Sequence, residues 1–333
     1  MAFRCIGGHY VPVPVCIMNK LYWSVVIPSM TYGFDVQPLE ESDISELESA
    51  HRKHAKIVAN VSYQVSTPTP YAPLGWMSMK GFIMMNRLLF MFRLLCMESE
   101  NVYKQIMLFR LDEIVANGES RRVHRGPVDF MYDALEYYGL SYKFLPCLEG
   151  RTFGELDDWK KLVKSTVWSY ENLQWFCSCF MYDSLKYYRM SVTSIKLHPW
   201  WDIAKHLPHL QHKISSLMSV LMGGQPIKLG CNFDSKYCKI CRDRNVESVL
   251  HIMFGCPELG IVRFELIEKI RNSMTPAMRE SFDNMIVEDK LIFLLSAMNS
   301  TYTAAWSDLY RNIVYFVDKI YQTRFSKYKA IDE

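Results

Sequence analysis

Between residues 238 and 256 four metal-ligating side chains recur at the spacing C-x2-C-x9-H-x4-C, formed by Cys238, Cys241, His251 and Cys256. Three thiolates and one imidazole make a closed tetrahedral set for zinc, with no position left for a reacting water. The two-residue gap lets Cys238 and Cys241 clasp one ion from a single tight turn. The four-residue gap places His251 and Cys256 about one helical turn apart, so that both are expected to face the same point. Asp234, Lys236, Arg242, Asp243 and Arg244 make the intervening loop polar, which suits a surface metal loop and not a core. The competing reading, four cysteine and histidine side chains spaced by chance, arises because the chain has 10 cysteines. Agreement in both spacing and ligand type favours structural zinc, and Cys231 is a spare thiol that offers a substitute ligand.

Composition bounds the rest. A chain of 333 residues, half hydrophobic and 22% charged, is globular and long enough for two or three domains. A net charge of +3 leaves any affinity for RNA or DNA to local basic patches. The cysteines follow no disulfide framework and no signal peptide is evident, so a reducing compartment, nuclear or cytoplasmic, is expected. The apolar run Leu21–Phe34 is too short for a bilayer and contains Pro28. A soluble protein without a membrane partner is therefore expected.

Helical signals dominate the chain in order. Residues 1–17 read as a poorly anchored leader, and Lys20–Gly33 as an apolar helix. An amphipathic helix is expected at about Ser42–Val61, with Asp43 and Glu46 resembling a capping box and Ile44, Leu47, Ala50, Ile57 and Val58 on one side. Met77–Glu98 reads as a buried helix with Arg87 and Arg93 snorkelling. Ser99–Gly118, Pro127–Gly139 and Asp157–Arg189 follow, the second with proline at its start and glycine at its stop. A near-repeat, FMYDALEYYGLS at 130–141 and FMYDSLKYYRMS at 180–191, suggests a duplicated helical hairpin. His206, His209 and His212 recur at spacing three, which on a helix would allow a second metal site, but Pro208 interrupts them and no second ligand class accompanies them, so a half-buried or solvated face is expected there. Gly223–Pro226 reads as a boundary, after which Leu259–Ser273, Val287–Ala297 and Tyr302–Lys327 close a C-terminal bundle.

Two regions carry a family resemblance. The first runs Leu21-Tyr22, Val26-Ile27-Pro28, Tyr32-Gly33, His51-Arg52-Lys53, Thr67-Pro68-Thr69-Pro70, Leu74-Gly75-Trp76, Arg87-Leu88 and Arg93-Leu94-Leu95. It resembles the region after the polymerase palm in reverse transcriptases of non-LTR (LINE-type) retrotransposons, where a helical thumb and connector lie. The second, Cys238 and Cys241 followed by Glu247 through Pro257, is similar to the cysteine-histidine motif with which that family commonly ends. The resemblance covers about 20–96 and 238–257 in the family's order. Composition and the boundary at 223–226 divide the chain into a leader at 1–17, a helical region at 18–98 that the resemblance makes thumb-like, a helical middle at 99–222 outside the resemblance, and the zinc module with C-terminal helices at 227–333.

The family's polymerase requires a paired-aspartate turn on a strand hairpin to hold its metal ions. Asp133 and Asp183 are each single and lie between helical signals, so polymerase activity is not expected. No Gly-rich phosphate loop, H-E-x-x-H or G-x-S-x-G motif is present, and no small-molecule substrate is implied. Lys236, Lys239, Arg242 and Arg244 surround the metal clasp, with Tyr237 placed to stack on a base, while Arg121, Arg122 and Arg125 form a second basic cluster. The expectation is a mainly α-helical array with a small Cys3His zinc module and a C-terminal helical bundle. Its expected role is non-catalytic binding of RNA or DNA, as the C-terminal portion of a truncated or domesticated element. The alternatives are a zinc-stabilised scaffold for a protein partner, or an inert retrotransposon relic.

Overall fold

The computed structural model describes residues 13–117, 126–224, 237–241, 245–297 and 302–332. Among these the regular elements are helices, and extended pairing is confined to two isolated antiparallel bridges, Leu74 with Leu197 and Tyr237 with Val246. The mainly α-helical expectation holds. No helix among the described residues is long and apolar enough to cross a membrane. The chain forms two compact units, each discontinuous in sequence. One comprises Met1–Leu21, Arg52–Trp76 and Phe176–Glu333; the other comprises Tyr22–His51 and Met77–Trp175. Residues on both sides of Gly223–Pro226 belong to the first unit.

In the second unit, local chemistry sets the helix ends and tertiary packing sets their faces. Ser78 Oγ accepts from Gly81 N at 2.9 Å and starts Met79–Leu95. Met79, Ile83, Leu88, Met91, Phe92 and Leu95 are buried on that helix, and it packs against Val102–Asn117 and Pro127–Tyr137. Val102–Asn117 is capped by Asn101 Oδ1, which accepts from Tyr103 N at 3.0 Å, so the cap is Asn101 and not Ser99. Pro127–Tyr137 begins where Asp129 Oδ2 accepts from Gly126 N at 2.8 Å, and it is stopped by Gly139 at φ +64°. Leu156–Phe180 sends Trp159 into the core, where its ring stacks on Phe92 at 4.6 Å and its Nε1 donates to Leu88 O at 3.2 Å. Glu171 is buried and accepts from Tyr138 OH at 3.0 Å and from Ser78 Oγ. A β-carbon on Gly81 would come within 2.6 Å of that carboxylate group, so glycine is what lets the helix lie against it.

Three local readings are corrected here. Glu41–Ala59 starts with Asp43 Oδ2 accepting from Glu40 N at 2.9 Å, so Asp43 is the reaching residue of the cap and not its first member. Ile57, expected on the apolar side, is 55% exposed, and fully buried His51 occupies that side instead. Its Nε2 donates to Met77 O at 3.0 Å, which leaves Nδ1 to accept from Tyr22 OH at 2.7 Å. Arg87 does not snorkel. It is 2% exposed, and its guanidinium donates to Phe34 O at 3.0 Å and Gln37 O at 2.7 Å, satisfying carbonyls of the turn at 33–37. Arg93 is exposed, as expected.

In the first unit the described chain is anchored from its first residues, and the N-terminal helix starts at Val15, within the segment read as a loose leader. Gln211 Nε2 donates to Val13 O at 2.9 Å. Pro199–His206, Gln211–Leu221, Val287–Leu295 and Ser307–Asp332 pack around Trp200, Ile214, Leu217, Leu294, Leu309 and Ile313, all fully buried. The indole of Trp200 donates to Leu295 O at 2.8 Å. Pro276–Asn284, capped by Thr275, was not foreseen. The FMYD near-repeat is not a repeat in structure. Phe130–Asp133 lies inside a helix, whereas Phe180 ends one and Asp183 opens a 3-10 turn. Where the first copy has Gly139, the second has Arg189, whose Nη1 donates to Cys179 O at 2.9 Å and Tyr182 O at 3.1 Å and so stabilises the break.

His198 gives this unit an acid-sensitive point. It is 2% exposed and caps Pro199–His206 by accepting from Trp200 N at 3.3 Å through Nδ1. Burial, with Lys196 adding, depresses its pKa from 6.5 to about 3. Between those values the unfolded chain takes up a proton that the folded chain refuses, so stability is full above pH 6.5 and falls as pH drops toward 3. In His198→Asn, which retains a cap acceptor, the acid slope of the urea-unfolding free energy is expected to be shallower by up to about 1.4 kcal/mol per pH unit. Parallel slopes in the two proteins would contradict it.

Candidate metal centre

The polypeptide around Cys238 is a short finger. Tyr237 bridges Val246 in antiparallel sense, and Cys238 N donates to Asn245 O at 2.9 Å, so the chain doubles back and presents Cys238 and Cys241 from one bend. After the finger, Ser248 Oγ accepts from His251 N at 3.1 Å and its carbonyl accepts from Ile252 N at 3.0 Å, which starts the helical turn that carries the histidine.

That turn is wider than an α-helix. In α geometry a residue five places on lies about 140° round the axis and faces away. His251–Gly255 is instead π-helical, closed by Cys256 N donating to His251 O at 2.6 Å. The wider winding brings Cys256 back to the side of His251. Pro257 ends the turn, since a residue before proline is driven out of the α region, and Cys256 is extended at φ −69°, ψ 117°. Gly255 leaves space for the imidazole: a β-carbon there would stand 3.2 Å from His251 Nδ1. The other ring nitrogen, Nε2, faces Cys241 Sγ at 3.5 Å.

The result is a cluster whose four candidate ligand atoms, from Cys238, Cys241, His251 and Cys256, all lie within 4.8 Å of one another. Such a set can hold a metal ion. Cys238 and Cys256 are almost fully buried, at 3% and 1% exposure. Burial first, then the neighbouring Cys238 and Cys241, push the Cys256 thiol up to about 12. Without a cation that sulfur is therefore protonated at neutral pH, and a bound cation reverses the balance. His206, His209 and His212 do not join a metal-binding group among the described residues, and His206 instead stacks on Tyr302 at 4.4 Å.

The centre is tied to the C-terminal helix by residues that local patterns do not single out. Glu247, between the finger and the histidine, accepts from Arg324 Nε at 3.0 Å and also from Arg324 Nη2. The two side chains are only 6% and 1% exposed. Tyr328 OH donates to the other Glu247 oxygen at 3.3 Å, and the Arg324 guanidinium lies 4.8 Å from the Tyr328 ring. Lys327 pairs with Glu258 at 2.7 Å, just beyond the last ligand. Phe254, within the π turn, lies 6.1 Å from Phe316 of the same helix. Arg263, seven residues after Cys256, donates through Nη2 to the Cys256 carbonyl at 2.5 Å.

Of the residues expected to touch nucleic acid, two are described. Tyr237 is 46% exposed, and Lys239 is exposed with its ammonium 6.0 Å from the Tyr328 ring. Lys236, Arg242, Arg244, Arg121, Arg122, Arg125 and the spare thiol Cys231 lie outside the described residues.

Removing one member of the buried pair leaves the other charge uncompensated. Arg324→Met is expected to cost about 3–5 kcal/mol in denaturant unfolding, and Glu247→Leu added to it to restore a large part. A single variant with unchanged unfolding would show that the pair does not hold the finger.

Comparison with family models, with curated proteins and with solved structures finds no match for this chain.

Proposed function

We propose that the Cys3His centre binds structural zinc and that the chain is a non-catalytic nucleic-acid-binding module. Around a tetrahedral zinc, bonds of about 2.3 Å to sulfur and about 2.0 Å to nitrogen place those two atoms roughly 3.5 Å apart. Cys241 Sγ and His251 Nε2 stand 3.5 Å apart. All four positions would be filled by protein, so the ion would stiffen the finger and take no substrate.

The observation that carries the nucleic-acid reading is the exposure of Tyr237 and Lys239 on either side of the buried ligand Cys238. An aromatic face for a base and an ammonium for a phosphate would then be held on a rigid bend, with Lys236, Arg242 and Arg244 adjacent in sequence. Derivation from a non-LTR retrotransposon reverse transcriptase is supported by the order of the two resembling segments. The non-catalytic role is supported by Asp133 lying in a helix and Asp183 in a 3-10 turn, neither on a strand hairpin. Cys16, Cys96, Cys147, Cys177 and Cys179 are free of disulfides, in keeping with a nuclear or cytoplasmic setting. A protein-binding scaffold is the second reading, favoured by Val102, Tyr103, Ile106 and Phe109 exposed on one helix.

Two measurements test the proposal. Cys238→Ser is expected to lose zinc and several kcal/mol of stability, because structural zinc binding is itself folding energy; retained zinc and unchanged melting would refute it. Binding of labelled RNA and DNA across a salt series should weaken steeply with salt. Alanine at Lys239, Arg242 and Arg244 should flatten the log–log slope by about one unit per lost phosphate contact. Absence of binding at low salt with zinc present would leave the scaffold reading.

A further inference from the structure

Arg263 lies seven residues after Cys256, against the candidate metal centre. Its Nη2 is satisfied by the Cys256 carbonyl at 2.5 Å, but its Nη1 is buried and has no hydrogen-bond partner among the described residues. No carboxylate pairs with it among the described residues, although Arg271, Arg311 and Arg324 all have one. Arg263 is half-buried, and a guanidinium held partly out of water is less costly where an anion compensates it. The Nη2 hydrogen bond places the guanidinium beside Cys256, one of the four candidate ligands.

The charge balance of the neighbouring centre supplies the missing anion. Three thiolates around one divalent ion and a neutral imidazole leave one net negative charge, enclosed where Cys238 and Cys256 are buried. We propose that Arg263 is the counter-ion of the metal–thiolate centre, a positioning residue that stabilises the fully deprotonated ligand set and shields Cys256 from electrophiles. This rests on the zinc reading above. Arg263 holds Cys256 in two ways: the hydrogen bond to its carbonyl fixes the backbone that the π turn delivers, and the guanidinium charge offsets the thiolates. Outer-shell groups of this kind tune both affinity and ligand basicity.

The test uses the full chain loaded with zinc, competed against a chromophoric chelator at several pH values, with iodoacetamide alkylation of Cys256 followed by mass spectrometry. Arg263→Gln keeps an N–H donor for the carbonyl and removes the charge, while Arg263→Lys keeps the charge and loses the planar fork. The Gln variant is expected to bind zinc on the order of tenfold to a hundredfold more weakly, with the deficit growing as pH falls. Its Cys256 should alkylate faster, and the Lys variant should stay within a few-fold of wild type. Equal zinc affinity and alkylation in wild type and the Gln variant would overturn the inference while leaving the zinc reading intact. A Lys variant as weak as the Gln variant would also overturn it, by tracing the effect to shape and hydrogen bonding instead of charge. If the Gln variant does not fold, the Lys variant decides: full zinc occupancy supports the counter-ion role and loss of zinc overturns it. A wild-type chain that takes up no zinc would overturn both readings.

Discussion

The buried pair between Glu247 and Arg324 is the interaction on which the metal centre's shape depends. Glu247 sits between the finger that presents two cysteines and the turn that presents the histidine and the third cysteine. Fixing it against the C-terminal helix fixes both halves of the ligand set at once. The pair is nearly solvent-free, so each charge relies on the other and on Tyr328 for compensation. An ion entering this site would meet ligands whose backbone is already arranged, and less of its binding energy would go into ordering the chain.

The same rule, a buried polar group matched to one specific partner, runs through the helical core of the other unit. Glu171 receives Ser78 and Tyr138, His51 receives Tyr22 and gives to Met77, and Arg87 answers two carbonyls of a turn. Helix faces rich in methionine, leucine and phenylalanine slide against one another at little cost, because such side chains repack easily. Polar contacts of this sort permit far fewer arrangements. Gly81, which brings one helix close to the Glu171 carboxylate, belongs to the same device.

Where sequence reading succeeded, the cause was local. Pro127 and Gly139 bracket a helix because proline suits a first turn and a glycine accepts positive φ. The candidate metal-binding tetrad was readable because thiolate and imidazole ligands need particular spacings along the chain. Where it failed, a distant group decided. Ile57 has the period of a core residue but faces solvent, and buried His51 takes its place because Tyr22 and Met77 supply partners. The two FMYD segments share residues and not conformation, since Gly139 ends one helix and Arg189 braces a break in another.

By itself, the sequence determined the helical class, several helix starts and stops, and the four candidate ligands, because each rests on backbone preference or on spacing between near neighbours. Only the tertiary structure decided that His251–Gly255 winds as a π turn, that Glu247 meets Arg324 across 77 positions, and that Arg263 donates to the Cys256 carbonyl. Those features depend on which helices pack together. Packing is settled by the summed burial of many side chains, and no local pattern encodes that sum.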